Sequence, residues 1–426
     1  LFRSEKAATN GHAEPKSSNQ AAGNLAVPKS APAPATEAVK PPKSEKATKE
    51  HIQKMTASAN PISTESLSKT GDLSKFLAFK SQYDTKLLPR PDVDDGELVP
   101  ITEWRLLTPE DYDRTCFHWE VDVRGTRMEH LVNGSQGKAL SVYATNPVEM
   151  VQDFIKKMNL DPLEVVSVDD IAPPPEDGMV AVVTLEKLFT VYLDLFGRPT
   201  REFLKQLHAF AHDIADKVAI AELTLDRKME EFQDKTAQAY AFVDYILAYK
   251  SLRIPAAKYV DLIPTIKQRV YSICSSSNYR PGKCQLLVVR EDWQAKGGAT
   301  KFGLCSSFLT LQRDSFALCH STHSVMQMPE NNSAHIFMAG LGTGLAPFRA
   351  FVEERKWLKE SKGKSVGPMT LFFGGRYSKS EYYYKDEFDA FEKEGLLKCC
   401  NAWSRDQAHK VYVQHKIMEE ADSIWE

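Results

Sequence analysis

The stretch His335-Ile336-Phe337-Met338-Ala339-Gly340-Leu341-Gly342-Thr343-Gly344-Leu345-Ala346-Pro347 decides how the fold is read. A short apolar run ends in spaced glycines and leads into a helical pattern at Phe348, Phe351, Val352 and Leu358. Met369-Thr370-Leu371-Phe372-Phe373 repeats the strand-then-glycine theme, and a helix through Phe388 and Phe391 follows. Strands alternating with helices predict a parallel sheet. Glycines at a strand-to-helix turn let a diphosphate approach the backbone. The helix N-terminus supplies free N–H groups and positive potential, and Pro347 suits the first helical turn. Leu345 stands where the usual dinucleotide fingerprint has its third glycine, so the motif is a variant of that pattern.

Working upstream, the pattern changes from α/β to predominantly β. Phe117, Trp119, Val121 and Val123 alternate with His118, Glu120 and Asp122, the period of a half-buried strand. Lys138 to Tyr143 reads as another strand, followed by a helix through Val151, Phe154, Ile155 and Met158. Between Pro199 and Tyr249 the period is helical, with Phe203, Leu207, Phe210 and Ile214 on one face and Phe242, Ile246 and Tyr249 on a later one. Strand signals return at Arg269–Ile273 and Gln285–Arg290. The expected architecture is multidomain, α+β and α/β. A β domain over 76–328 carries a helical insertion at about 150–255, and a parallel-sheet domain over 329–426 follows. Residues 1–75 hold no aromatic side chain beyond Phe2 and are rich in Ala, Pro, Ser and Lys, so they read as a disordered linker.

Bulk composition narrows the function. With 54 Lys+Arg against 57 Asp+Glu in 426 residues, the net charge of -3 lacks the basic excess of a nucleic-acid binder. No apolar run approaches the ~18 residues of a membrane span. Seven cysteines, at 116, 274, 284, 305, 319, 399 and 400, show no Cys-x-x-Cys spacing. They suit a reducing compartment better than a disulfide framework or a zinc site. His320 and His323 have ligand-like spacing but no third partner nearby, and read as a polar connector; no metal site is expected. Cys399-Cys400 reads as a buried strand pair, and Tyr382-Tyr383-Tyr384 as helix packing at a domain contact.

Three further segments carry candidate chemistry. Ser404-Arg405, with Lys410, Tyr412 and Gln414, follows the third strand of the parallel sheet near its carboxyl edge, where ligands bind in open α/β folds. An arginine fork, a lysine, a hydroxyl and a ring there can hold a 2′-phosphate and stack an adenine. Arg269-Val270-Tyr271-Ser272 can offer a flavin a cation for its pyrophosphate, an aromatic wall and a hydroxyl near N5. Gly303-Leu304-Cys305-Ser306 is a second small-residue turn opening a helix, suited to a second phosphate contact.

In this order the motifs Arg-x-Tyr-Ser, Gly-x-x-Ser, Gly-x-Gly-x-x-Pro and Ser-Arg with Lys-x-Tyr-x-Gln resemble the ferredoxin-NADP reductase module of the diflavin reductases. The resemblance runs from about residue 75 to the end. Leu77-Ala78-Phe79-Lys80, Leu107-Thr108-Pro109-Glu110-Asp111-Tyr112-Asp113 and Leu195-Phe196-Gly197-Arg198-Pro199 are most similar to the flavoprotein component of NADPH-sulfite reductase. The reductase tail of pyruvate:NADP+ oxidoreductase is nearly as good a match. The resemblance implies an antiparallel FAD-binding β-barrel with a helical connecting insertion, then an NADP-binding domain. It implies hydride transfer from NADPH to FAD and electron release to a further carrier, as in those two groups or in cytochrome P450 reductases.

By matching position, the resemblance implies Arg269 on the FAD pyrophosphate, Tyr271 on the flavin, Ser272 as the catalytic hydroxyl near N5, and Gly303 with Ser306 at the second phosphate contact. Gly342, Thr343 and Gly344 would meet the NADPH diphosphate, Arg376 would lie near the nucleotide, and Ser404, Arg405, Lys410, Tyr412 and Gln414 would bind its 2′-phosphoadenosine end. FMN on an upstream or partner domain, an iron–sulfur or siroheme redox partner, a hetero-oligomer and a cytoplasmic location are further implications, with a mitochondrial one for the pyruvate-linked type. Relatives continue into a Cys-Gly strand and an acidic residue with a terminal aromatic, and Lys138 replaces an acidic residue common among them. The chain is therefore expected to be a C-terminally incomplete fragment, and the non-enzymatic alternative is a catalytically incomplete assembly or scaffold piece.

Overall fold

In the computed structural model of the chain, residues 96–132, 137–168, 182–296, 298, 300–311, 316–322 and 326–425 are described, all within one unit, Lys46–Glu426. The linker expected at 1–75, the Leu77–Lys80 motif and His323 lie outside them. Six strands make the first sheet: β1 (Glu97–Leu106), β2 (Cys116–Asp122), β3 (Ala139–Tyr143), β6 (Arg269–Ser272), β7 (Lys283–Val289) and β10 (Phe316–Thr322). Small antiparallel pairs are formed by β4 (Val165–Ser167) with β5 (Val182–Thr184), and by β8 (Asp292–Gln294) with β9 (Thr300–Phe302).

The large sheet runs in the order β6-β3-β10-β1-β2-β7, all antiparallel. An Ile273–Leu286 bridge ties its last strand back to its first, which closes it into a barrel. One strand serves two neighbours: β1 pairs β10 through Glu97–Pro100 and β2 through Ile101–Leu106, with a register shift between Ile101 and Glu103. Trp119, Val121, Leu140, Val142, Leu286 and Val288 fill the interior. The half-buried reading of β2 is corrected here, because its polar residues His118 and Glu120 are buried as well, at 2% and 8% exposure. The alternation marks two buried faces, one on the barrel core and one on the following domain.

The insertion between β3 and β6 carries α1 (Val148–Met158), α2 (Arg201–Leu207), α3 (Ile214–Glu222), α4 (Met229–Ala237) and α5 (Phe242–Ala248). Phe154, Phe189 and Tyr259 meet edge to face at its centre. The single apolar face expected over Phe203–Ile214 is broken. Phe203 and Leu207 are buried on α2, the chain then turns, and Ile214 starts a new helix with 78% of its surface exposed. Asp213 explains the break, since its carboxylate accepts the Ala215 N–H and caps α3.

After α6 (Leu304–Leu311), the second domain is a parallel sheet in the order β11 (Ile336–Leu341), β12 (Met369–Gly375), β13 (Lys398–Trp403). α7 (Ala346–Lys362) and α8 (Lys385–Lys393) make the crossovers, and α9 (Val413–Glu419) follows β13. β12 is buried on both faces, as a central parallel strand should be. The outer strand β11 alternates instead, leaving Phe337 and Leu341 exposed.

Candidate functional site

The glycine turn is built as its composition demands. β11 ends at Leu341, a short turn spans Gly342–Leu345, and α7 begins at Ala346 with Pro347 in its first turn. Gly342 takes a φ of 53°, a left-handed value that costs glycine little. A Cβ on Gly340 would lie 2.8 Å from the Gly344 carbonyl, so that glycine serves closure of the turn. A Cβ on Gly342 or Gly344 would meet nothing within 4 Å, so the outer side of the turn is open to a ligand. Thr343 is half-buried between them, and Leu345 is fully buried, which fixes the turn to the core.

β12 and β13 deliver their carboxyl ends next to this turn. Ser404 donates both its N–H and its hydroxyl to the Gly375 carbonyl, and the Arg405 N–H donates to the Arg376 carbonyl, which laces the two strand ends together. Arg405 and Lys410 project as exposed cations, with the Arg405 guanidinium 6.0 Å from the centre of the Tyr377 ring. Tyr412 is 45% exposed at the start of α9, and Gln414 is exposed one residue into it. Arg376, which follows at the end of β12, already has protein partners. Its Nε donates to Glu381 at 2.7 Å, and its two terminal nitrogens reach Asp113 of the barrel domain at 3.1 and 2.8 Å.

On the barrel side, β6 presents an open strand. Arg269, Val270 and Ser272 are exposed and Tyr271 is half-buried against the barrel core. The Arg269 guanidinium is held by the backbone carbonyls of Lys267 and Gln268, which leaves the rest of its donors outward. Tyr271 also meets Cys305 at the start of α6; burial and that thiol push the phenol well above its usual range. The Ser306 hydroxyl accepts the Glu291 N–H and donates to the Gly303 carbonyl, thereby closing the loop. The next hydroxyl, Ser307, is buried and has no hydrogen-bond partner among the described residues. An orphaned hydroxyl in the first turn of a helix fits an anion there, and its position one residue along Ser306-Ser307 was the only signal in the sequence.

Sequence reasoning missed the seam between the domains. Arg349 of α7 is 1% exposed and crosses it, donating to the Cys274 carbonyl at 2.7 Å and to Gln285 Oε1 at 2.8 Å. Its other nitrogens pair with Glu353 at 3.0 Å and Glu387 at 2.8 Å. Glu353, fully buried, also accepts from the Ser276 N–H and Arg280. Glu354 accepts from the Ser276 hydroxyl and Asn278. Gln285 passes the network on to Glu120, which Lys283 pairs at 2.8 Å. Above it, Tyr384 bonds His118 Nδ1 at 2.9 Å and carries the Arg349 guanidinium over its ring. Burial, with Arg349 adding to it, drives His118 down to about 3, so the imidazole is neutral. The tyrosine run therefore does serve a domain contact, but from the turn between two helices, where Tyr384 takes a φ of 56°.

The remaining candidates hold ordinary places. Burial pushes the Cys399 thiol up to about 12 and raises Cys400, both on β13. Glu103, His118 and Glu120 bring ligand atoms within 4.8 Å of one another, yet Arg105, Tyr384 and Lys283 already engage them. No helix among the described residues is long and apolar enough to cross a membrane.

Comparison with known proteins agrees with this geometry. Residues 93–308 match the FAD binding domain family, and residues 337–426 match the oxidoreductase NAD-binding domain. The sulfite reductase [NADPH] flavoprotein component of Saccharomyces cerevisiae is 33% identical over 365 residues, 84% of this chain and 34% of the relative. Pyruvate dehydrogenase [NADP(+)] of Cryptosporidium parvum is 28% identical over 77% of this chain and 19% of the relative. NADPH–cytochrome P450 reductase of Rattus norvegicus is 27% identical over 84% of this chain and 53% of the relative. The chain thus spans about a third of the yeast protein's length, 34%.

Proposed function

The chain belongs to the FAD-binding family of flavoprotein oxidoreductases, its FAD-binding domain followed by an NAD-binding domain, and on that premise we propose that it is the NADPH-dependent reductase module of a longer electron-transfer protein. The observation that carries the reading is the open turn at Gly342–Gly344 at the strand ends that also carry the exposed cations Arg405 and Lys410, which form no ion pair among the described residues. Bound on the barrel side, FAD would supply the chemistry that links the two-electron hydride of NADPH to a one-electron carrier. We assign residues 76–328 to the FAD side, with the helical insertion, and 329–426 to the nucleotide side.

In this reading Arg269 neutralises the FAD diphosphate, Tyr271 walls the flavin, and Ser307 beside Ser306 and Gly303 meets the second phosphate. Ser272 offers its hydroxyl to the reacting edge of the flavin. The N–H groups of the Gly342–Gly344 turn and the Thr343 hydroxyl receive the nucleotide diphosphate. Ser404, Arg405 and Lys410 select the 2′-phosphate, Tyr412 stacks the adenine, and Gln414 borders it. The buried seam fastens the two sheets to each other and so helps hold the two half-sites in register. The acceptor is an FMN or iron–sulfur/siroheme carrier on another domain or subunit, the sulfite reductase type being favoured by the yeast relative.

The 426-residue chain, purified and supplied with FAD, should retain the yellow flavin band through gel filtration. Arg269→Ala should weaken FAD binding by roughly 1.5–3 kcal/mol, since it strips a charge-assisted contact. A folded chain that stays colourless with excess FAD would refute the assignment.

A further inference from the structure

Among the described residues, Arg376 is the cation of the proposed nucleotide rim that already holds carboxylate partners. Its terminal nitrogens make a two-pronged contact with the carboxylate of Asp113, which comes from the β1–β2 loop of the other domain. That fork geometry is the one guanidinium uses for phosphate. The rest of Arg376 is pinned: its N–H and Nε both donate to Glu381, itself 2% exposed and bonded by the Tyr112 hydroxyl. The fork is therefore aimed, and only its far end is free to change partners.

The place it is aimed at belongs to the rim. The Arg376 carbonyl accepts from the Arg405 N–H, and the rings of Tyr112 and Tyr377 meet edge to face, with Arg376 over the first and Arg405 over the second. Asp113 is 69% exposed against 22% for Arg376, so the carboxylate is the loosely held partner. An exposed carboxylate loses little on returning to water, while a dianionic phosphate outbids a monoanion for the same fork.

We propose that Asp113 is a built-in competitor for the nucleotide, an internal carboxylate that occupies the Arg376 fork, lowers affinity for a phosphate-bearing ligand and releases the β1–β2 loop when that ligand enters. This rests on the nucleotide reading of the rim. It makes Asp113 an affinity-setting residue that the barrel domain contributes, together with Tyr112, to a rim whose cations Arg376, Arg405 and Lys410 belong to the parallel-sheet domain.

The test is equilibrium titration of the FAD-loaded chain with NADP+, with inorganic diphosphate and with adenosine, for wild type, Asp113→Asn, Asp111→Asn, Arg376→Ala and Arg376→Lys. Asp113→Asn should tighten NADP+ and diphosphate about two- to five-fold and leave adenosine unchanged, the scale of an exposed ion pair. Asp111→Asn, which removes a neighbouring exposed charge without touching Arg376, should change neither. Hydrogen exchange of residues 110–114 should rise on adding NADP+ to wild type and already be high in Asp113→Asn. Unchanged or weaker NADP+ binding in Asp113→Asn, or an equal gain in Asp111→Asn, overturns the proposal. If wild type binds NADP+ but both Arg376 variants bind it equally well, the assignment of Arg376 to the nucleotide fails instead. Arg376→Lys keeps the charge paired with Glu381 should the alanine variant not fold.

Discussion

Arg349 and Arg405 belong to the same parallel-sheet domain and are opposites in every physical respect. Arg349 is 1% exposed, with its donors spent on Cys274, Gln285, Glu353 and Glu387. Arg405 is exposed and forms no ion pair among the described residues. A cation that is fully committed holds domains together. One that is left in water keeps its charge available for an anion that arrives later. The contrast separates the part of the molecule that sets distances from the part that binds.

The largest effect that tests this contrast is on stability. Arg349→Ala removes one of the two guanidinium partners of Glu353, which is 0% exposed and keeps only Arg280 and the Ser276 N–H, and it leaves the Cys274 carbonyl and Gln285 Oε1 without that donor. Breaking one partner of a buried pair costs about 3–5 kcal/mol. Urea unfolding should show that loss, while Arg349→Met with Glu353→Leu should recover much of it. A single variant within about 1 kcal/mol of wild type would mean the seam is dispensable.

Next comes binding. Arg405→Ala should weaken NADPH by roughly 1.5–3 kcal/mol, or about 10- to 150-fold, and NADH hardly at all. Competitive titration of both nucleotides checks this. Equal losses would move Arg405 from the 2′-phosphate to a contact both nucleotides share.

The rim was legible in the sequence and the seam was not, for a definite reason. Ser404, Arg405 and Lys410 follow a strand and a glycine-rich turn in a fixed order, so local spacing is enough to find them. Arg349 looks like any polar residue on a helix, because its meaning comes from Cys274 and Gln285, more than sixty positions away. His118 and Glu120 misled for the same reason: a polar alternate on a strand reads as solvent-facing unless the partner domain is known. Ser306 and Ser307 are distinguishable only by which hydroxyl the Glu291 N–H claims. A β domain, its helical insertion and the parallel sheet were visible in periodicity, whereas closure of the β domain into a barrel was implied only by the family resemblance, and the break before Ile214 depended on a cap at Asp213.

A pH titration sharpens the seam further. His118 is held neutral, with its pKa lowered from 6.5 to about 3, chiefly by burial. The unfolded chain binds that proton first, so stability is whole above about pH 6.5 and falls as the pH drops towards 3. Each unit in that window is worth up to about 1.4 kcal/mol, so about 2 kcal/mol should be gone by pH 5. His118→Gln should flatten this limb in urea unfolding at pH 7, 6 and 5. An unchanged slope would place the acid sensitivity elsewhere.

The smallest effect is expected at the rim itself, and it is the one that isolates binding from folding. In Arg405→Ala the backbone N–H that reaches the Arg376 carbonyl is retained, so the lacing of β12 to β13 survives. What goes is an exposed guanidinium 6.0 Å from the Tyr377 ring, a contact worth about 0.5 kcal/mol at such a site. Lys410→Ala removes an exposed charge with no ion partner among the described residues. Both variants should therefore unfold within about 0.5 kcal/mol of wild type, while losing nucleotide affinity. A stability loss above about 1 kcal/mol in either would show that the rim cations hold the turn after β13, and the division between a committed seam and an available rim would no longer stand.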